Sequence, residues 1–182
     1  MMKNDDHFLV RQCLEGNQTA FEGLVDKYQK IIYNMVYRFC KDFDEAEDIT
    51  QTVFIKAYEK LKTFNAKYKF FSWLYRIAVN ESLNFLKKKK DGKNIDTIIQ
   101  CSEQNPEQTY LQVELSENIQ RSLMQLQPNY RIIIILRHFA HCSYNEISEI
   151  LDIPVRKVKS RLYSARQILR EILIQRGVIT HD

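Results

Sequence analysis

Glycine and proline are scarce, at 4 and 3 in 182 residues. So little turn chemistry excludes a turn-rich chain and predicts an all-α fold. The cysteines, Cys13, Cys40, Cys101 and Cys142, form no CxxC pair. No histidine spacing completes a metal site with them, so metal: none is the reading, and isolated thiols fit a reducing compartment. No apolar run approaches the roughly 18 residues a membrane helix needs, and the longest stretch is Ile132 to Leu136. The opening MMKNDDHFLVRQC lacks an apolar leader core, which gives a soluble, cytoplasmic protein as the expectation. No phosphate-binding glycine loop is present, and His7, His138, His141 and His181 stand at no ligand spacing with acids. An enzyme is therefore not expected, nor a cofactor, nor a small-molecule substrate. The formal charge of +4 is mild, and it permits nucleic-acid binding without requiring it. The distribution of charge has to decide.

What is present is helical periodicity, on 45% hydrophobic and 27% charged residues. An opening segment carries Phe8, Leu9, Cys13 and Leu14. A second, from Thr19, places Phe21, Leu24, Tyr28, Ile31, Met35 and Phe39 at steps of three and four. A third, from Asp44, aligns Ala46, Ile49, Val53, Ala57 and Leu61, and a fourth, from Phe71, aligns Leu74, Ile77, Ala78, Ser82 and Phe85. These predict a helical bundle over residues 1–90. The pattern lapses through KKKKDGKNID and the Pro106 region, predicting a flexible linker over 91–112. Helical segments resume near 113–126, 128–139 and 143–175, giving a second small domain over 113–182.

The last segment is punctuated. Ser143 followed by Glu146 is a capping box, so a helix should open at Tyr144. Asp152-Ile153-Pro154 breaks it, and a second helix carries Val158, Leu162, Ala165, Leu169 and Ile172 on one stripe. That is a helix-turn-helix. Between Arg156 and Arg170 the second helix has six Lys or Arg and no acid, whereas the first carries Glu146, Glu149 and Asp152. One-sided charge of this kind suits a recognition helix in a major groove. Arg156, Lys159, Ser160, Tyr163 and Ser164 project opposite the buried stripe toward base edges. Lys157, Arg161 and Arg166 add basic charge, the last two at the flanks as phosphate contacts. The bland alternative is a solvated basic face on a core helix.

The N-terminal half carries two further surfaces. Five acids lie between Asp42 and Asp48, at a helix start where the dipole favours them. The dipole does not explain the outward line of Asp48, Gln51, Thr52 and Ile55, which has the makeup of a docking surface for a protein with basic groups. Six of the twelve residues from Phe64 to Tyr75 are aromatic, with Lys67 and Lys69 among them and Arg76 just beyond. On the helix from Phe71, the stripe opposite the core carries Trp73, Arg76, Asn80, Asn84 and Lys87. Rings for stacking, cations for the backbone and amides for base edges are the ingredients of a single-strand site. For any one ring, burial in the core is the competing account, most of all for Phe71 and Tyr75.

DEAEDITQTVFIKAYEKL, then FFSWLYRIAVNESLNFLKKKK, then VKSRLYSARQ, in this order across a short linker, resemble a bacterial RNA polymerase sigma factor of the two-domain extracytoplasmic-function (ECF) group. The resemblance implies that Asp48, Gln51, Thr52 and Ile55 dock on the β′ clamp helices of core RNA polymerase. It implies that Trp73, Arg76, Asn80, Asn84 and Lys87 help melt and hold the −10 promoter element. The loop Phe64, Lys67, Tyr68, Lys69 and Phe70 would form the pocket for a flipped base. The helix-turn-helix would read the −35 duplex near the β flap, and an anti-sigma factor would cover these faces. Asn84 stands where the family often has Asp, and Asp152 and Pro154 replace the common Gly and Ser/Thr of the turn. A helix-turn-helix regulator acting without polymerase is the runner-up, but it leaves the acidic and aromatic segments idle.

Overall fold

The computed structural model describes residues 5–91 and 110–180, with side chains over 5–89 and 117–180. Every regular element among them is helical. The first group is α1 (Asp6–Leu14), α2 (Gln18–Cys40), α3 (Phe43–Lys60) with a closing 3-10 turn (Leu61–Thr63), and α4 (Phe70–Asp91). The second is α5 (Tyr110–Gln125), α6 (Pro128–Ile134) running into a π-helical turn (Ile135–Phe139), α7 (Tyr144–Leu151) and α8 (Val155–Gln175). The predicted linker falls largely on residues 92–109, outside the described ones, and α5 opens before the expected position 113.

Short polar residues start α1, α2, α3 and α7 by accepting orphan backbone N–H groups. Asn17 Oδ1 accepts from Thr19 N–H at 3.1 Å, Asp42 Oδ1 from Glu45 N–H at 3.0 Å, and Ser143 Oγ from Glu146 N–H at 3.2 Å. Glu146 Oε2 accepts in return from Ser143 N–H at 2.8 Å, completing the capping box. Helix α2 packs on α1, α3 and α4, while α5, α6 and α7 pack on α8. The α3 stripe of Ala46, Ile49, Val53, Ala57 and Leu61 is buried throughout.

Two positions depart from the periodic reading. Leu14 is exposed, because α1 ends there and the chain turns at Gly16 (φ 98°), and Val10 takes the buried place instead. On α2 the inward residue is Ile32 rather than Ile31. That helix is covered on several sides, so its apolar face is wider than one stripe. Ile132 to Leu136 is buried as expected. Its end, however, is the π-helical turn, closed by Ala140 N–H donating to Ile135 O at 3.0 Å.

The two groups meet. One apolar cluster continues from Leu74 and Tyr75 of α4 into Leu136, Cys142 and Ile147. Arg131, 6% exposed, donates to Leu123 O (3.1 Å), Met124 O (2.7 Å) and Leu126 O (3.1 Å) within its own group, and to Phe39 O (2.7 Å) across the seam. Gln120 Nε2 donates to Arg38 O at 2.7 Å beside it. Burial pushes the thiols of Cys40 and Cys142 up to about 11 and about 12, so both act as apolar filler.

Candidate nucleic-acid interface

The aromatic segment resolves into a floor and a rim. Phe70 was expected on the outward loop, but it is 1% exposed and packs on Tyr28 with ring centroids 5.7 Å apart. It is the first residue of α4, and closing the bundle over Tyr28 demands an apolar ring there. Phe64 meets Phe70 edge-on at 5.6 Å and Trp73 at 5.5 Å, so the half-buried Trp73 is braced by both. Tyr75 is fully buried and Phe71 partly so. Asn65 Oδ1 accepts from Lys67 N–H at 3.0 Å, a local turn that presents Lys67, Tyr68 and Lys69 to solvent.

Phe64, Asn65, Tyr68, Ser72, Trp73 and Arg76 line one wall of a cavity of about 660 Å³. Ser72, not singled out in the sequence, has a buried hydroxyl without a hydrogen-bond partner among the described residues. A lone serine one turn ahead of an arginine on an aromatic helix was the only signal for it. The opposite wall comes from Ser148, Glu149, Asp152, Ile153 and Pro154, on α7 and the turn after it. Arg76 Nε donates to Glu149 O at 3.0 Å, its Nη2 donates to the same oxygen, and Asp152 Oδ1 lies 3.4 Å from Nη2. Lys69 Nζ pairs with Glu146 Oε1 at 2.8 Å. Asn80, Asn84 and Lys87 continue along α4, exposed and beyond this wall.

That ion pair gives acid sensitivity. The Lys69 ammonium, then the Ser143 N–H, hold the Glu146 carboxyl at about 2 against an ordinary 4.5. A depressed carboxyl contributes stability that is fully present above about pH 4.5 and lost as pH falls toward 2. Trp73, the single tryptophan, lines this seam. Its emission should therefore shift across that window, and the part of the shift due to this pair should be missing in Glu146→Gln.

On α3, Asp48, Gln51 and Ile55 are exposed, Ile55 at 59%, and Thr52 is half-buried. Glu45 turns away to Lys89 (2.6 Å) and Lys56 to Glu81 (2.5 Å), which ties α3 to α4 and leaves the outward line clear.

The helix-turn-helix is built from local chemistry. Asp152 closes α7 in the left-handed region (φ 53°, ψ 48°), and Ser148 Oγ donates to Ile153 O at 2.6 Å to fix the turn. Val158, Leu162 and Ala165 are buried, and Leu169 and Ile172 are partly so. Arg156, Lys157, Lys159, Ser160, Tyr163 and Arg166 are exposed, while Arg161 and Ser164 are half-buried. Arg166 Nε donates to His138 Nε2 at 3.3 Å, and burial followed by this guanidinium pushes the imidazole's pKa down, keeping it neutral.

Two family models match the chain in order: Sigma-70 region 2 over residues 24–91, and Sigma-70, region 4 over residues 116–169. The ECF RNA polymerase sigma factor SigW of Bacillus subtilis is 37% identical over 90% of this chain and 94% of its own. The chain belongs to the ECF group of RNA polymerase sigma factors. The ECF RNA polymerase sigma-E factor of Escherichia coli is 35% identical over 90% of this chain and 92% of its own. CnrH, solved in complex with the cytosolic domain of CnrY, shares the fold with a TM-score of 0.72 and 24% identity, over 92% of this chain and 96% of that one. In this sigma factor the region 2 match spans most of α2 through α4 and the region 4 match takes in most of α5 through α8. As a sigma factor the chain directs transcription as an initiation factor. No described helix is long and apolar enough to cross a membrane.

Proposed function

We propose that this sigma factor directs core RNA polymerase to promoters through three surfaces on two domains, residues 1–90 and 113–182, joined by 91–112. Asp48, Gln51, Thr52 and Ile55 dock on the β′ clamp helices, an apolar side chain flanked by an acid and an amide against a basic partner. The wall of Phe64, Tyr68, Ser72, Trp73 and Arg76, with Lys67, Lys69, Asn80, Asn84 and Lys87 following, captures the −10 strand once the duplex opens. Helix α8 enters the major groove of the −35 element, with Arg156, Lys159, Ser160, Tyr163 and Ser164 at base edges and Lys157, Arg161 and Arg166 on phosphates. The helix-turn-helix domain also lies near the β flap. An anti-sigma protein is the remaining partner that membership in the group implies.

The observation that carries this reading is the aromatic cavity with an orphaned buried hydroxyl and a guanidinium at its edge. A planar base supplies what that wall lacks: a face for the rings, and donors and acceptors for Ser72. The duplex half is tested on α8. Arg156→Ala and Lys159→Ala should each cost roughly 1–3 kcal/mol of binding and relax preference at single base positions. Arg166→Ala should weaken all duplexes alike and lower the salt slope by about 1. Salt-dependent binding of promoter duplex by the polymerase-bound chain reads both. Uniform behaviour of all three variants would remove α8 from the base edges.

A further inference from the structure

The cavity between α4 and the α7–α8 turn has the size and lining of a small-molecule site. Its volume of about 660 Å³ lies within the roughly 300–1,000 Å³ of such pockets, and its walls combine rings with a few polar groups. Phe64 and Trp73 meet at 61° with centroids 5.5 Å apart, so a flat molecule stacked on one ring meets the edge of the other. Tyr68, 52% exposed, adds a third ring. Ser72 lines the same wall at 3% exposure, and its hydroxyl has no hydrogen-bond partner among the described residues. A buried hydroxyl left unpaired is costly, and a ligand offering it a donor or an acceptor relieves that cost.

The charge of the lining sets the chemistry of what fits. Arg76 is the one cation among the described lining residues, and its Nε and Nη2 already face Glu149 O and Asp152 Oδ1. The turn contributes two acids, Glu149 and Asp152, and the Asp152 side chain keeps 86% exposure. Carboxylates accept hydrogen bonds and do not donate them, so they favour N–H groups and cations and disfavour phosphates. We propose that this cavity binds a flat amino-heteroaromatic molecule, neutral or cationic and free of phosphate or carboxylate. Phe64 and Trp73 hold its rings, the Ser72 hydroxyl meets a ring nitrogen, and Glu149 and Asp152 accept from its amino groups. Such a ligand uses the same α4 rings as the −10 strand, but its binding does not depend on strand capture. A strand brings one phosphate per nucleotide, which the acids on the facing turn repel, whereas this ligand needs those acids. Seated there it touches both helical groups, so it stabilises the chain by mass action.

Two probes that share one ring system and differ in charge test this on the full chain: 2-aminobenzimidazole and benzimidazole-2-carboxylate. Trp73 is the single tryptophan, so it gives one indole N–H signal in a proton–nitrogen correlation spectrum. The amine should move that signal to saturation, bind about fivefold or more tighter than the carboxylate, and raise the melting temperature. Ser72→Ala should weaken the amine by about 3- to 10-fold. It should not lower the melting temperature of the free chain, because the hydroxyl it removes has no partner among the described residues. Asp152→Asn, which the left-handed position tolerates, should narrow the preference for amine over carboxylate. A single-stranded DNA 12-mer of mixed sequence is the third ligand. Equal or tighter binding of the carboxylate overturns the assigned chemistry, and a tryptophan signal that neither probe moves overturns the site. Unweakened amine binding by folded Ser72→Ala overturns it as well. A strand that moves the signal where neither probe does overturns this proposal and leaves the strand-binding reading standing. An amine that behaves as expected beside a strand that does not bind supports the cavity alone.

Discussion

Arg131→Ala should destabilise the chain by roughly 3–5 kcal/mol, the cost of breaking a buried charged network by removing one partner. This one guanidinium serves four carbonyls: Leu123, which also accepts from Leu126 N–H, and Met124 near the end of α5, Leu126 just past it, and Phe39 at the end of α2. Carbonyls at helix ends have no intrahelical partner, and leaving them buried and unpaired costs more than a typical net hydrogen bond gains. The side chain also lies over the Phe39 ring, 5.4 Å from its centroid, so truncation opens space as well. Burial lowers the guanidinium's pKa, yet an arginine stays charged at any working pH. Lysine is no substitute, because three donors on one nitrogen cannot reach carbonyls on two helices at once. Arg131→Lys should therefore recover little. Thermal unfolding followed by circular dichroism reads the effect as a fall of on the order of 10 °C for a chain of this size. A shift within 1–2 °C would mean water replaces the guanidinium at no cost.

Trp73→Ala should weaken −10 strand capture by about 5- to 100-fold, the range expected when one stacking ring is lost. Binding of −35 duplex by α8 should stay within about twofold in the polymerase-bound chain, since Trp73 is none of the α8 side chains that face the duplex. The geometry adds a complication that periodicity alone did not raise: Trp73 braces Phe64 and Phe70 as well as lining the cavity. Alanine therefore also lowers stability, and strand affinity has to be expressed per folded molecule. Trp73→Phe separates the roles, because it keeps a ring against Phe64 and a face for a base. It should retain most strand binding. If Trp73→Ala lowers the melting temperature while folded molecules bind the strand normally, the ring belongs to the core alone.

The features read most directly from the sequence are those whose chemistry is local. Ser143 with Glu146, Asp152 and Pro154 punctuate α7 and α8 within a dozen residues, and each does in the structure what its side chain predicts. The α3 stripe was equally plain, since that helix has one covered face. Phe70 misled because a ring in a basic loop and a ring at the first turn of a helix look alike in sequence, and only packing on Tyr28 separates them. Ile31 and Ile32 are adjacent, and the choice between them depends on which neighbours enclose α2. The seam was invisible for a simpler reason. Arg76 meets Glu149 across 73 positions and Arg131 meets Phe39 across 92, and no periodicity couples residues so far apart. Arg76 was therefore legible as an outward cation, but not as one with its donors engaged.

Promoter specificity for core RNA polymerase is what the three surfaces are proposed to supply. The most direct measurement is transcription in vitro by core polymerase on genomic DNA of the same bacterium, with and without the chain, mapping the 5′ ends of the transcripts. New 5′ ends should appear only with the chain and share paired sequence elements near −35 and −10. Trp73→Ala should abolish most of them. Identical 5′ ends with and without the chain, in a mixture where the chain is folded and still binds duplex DNA, would contradict it.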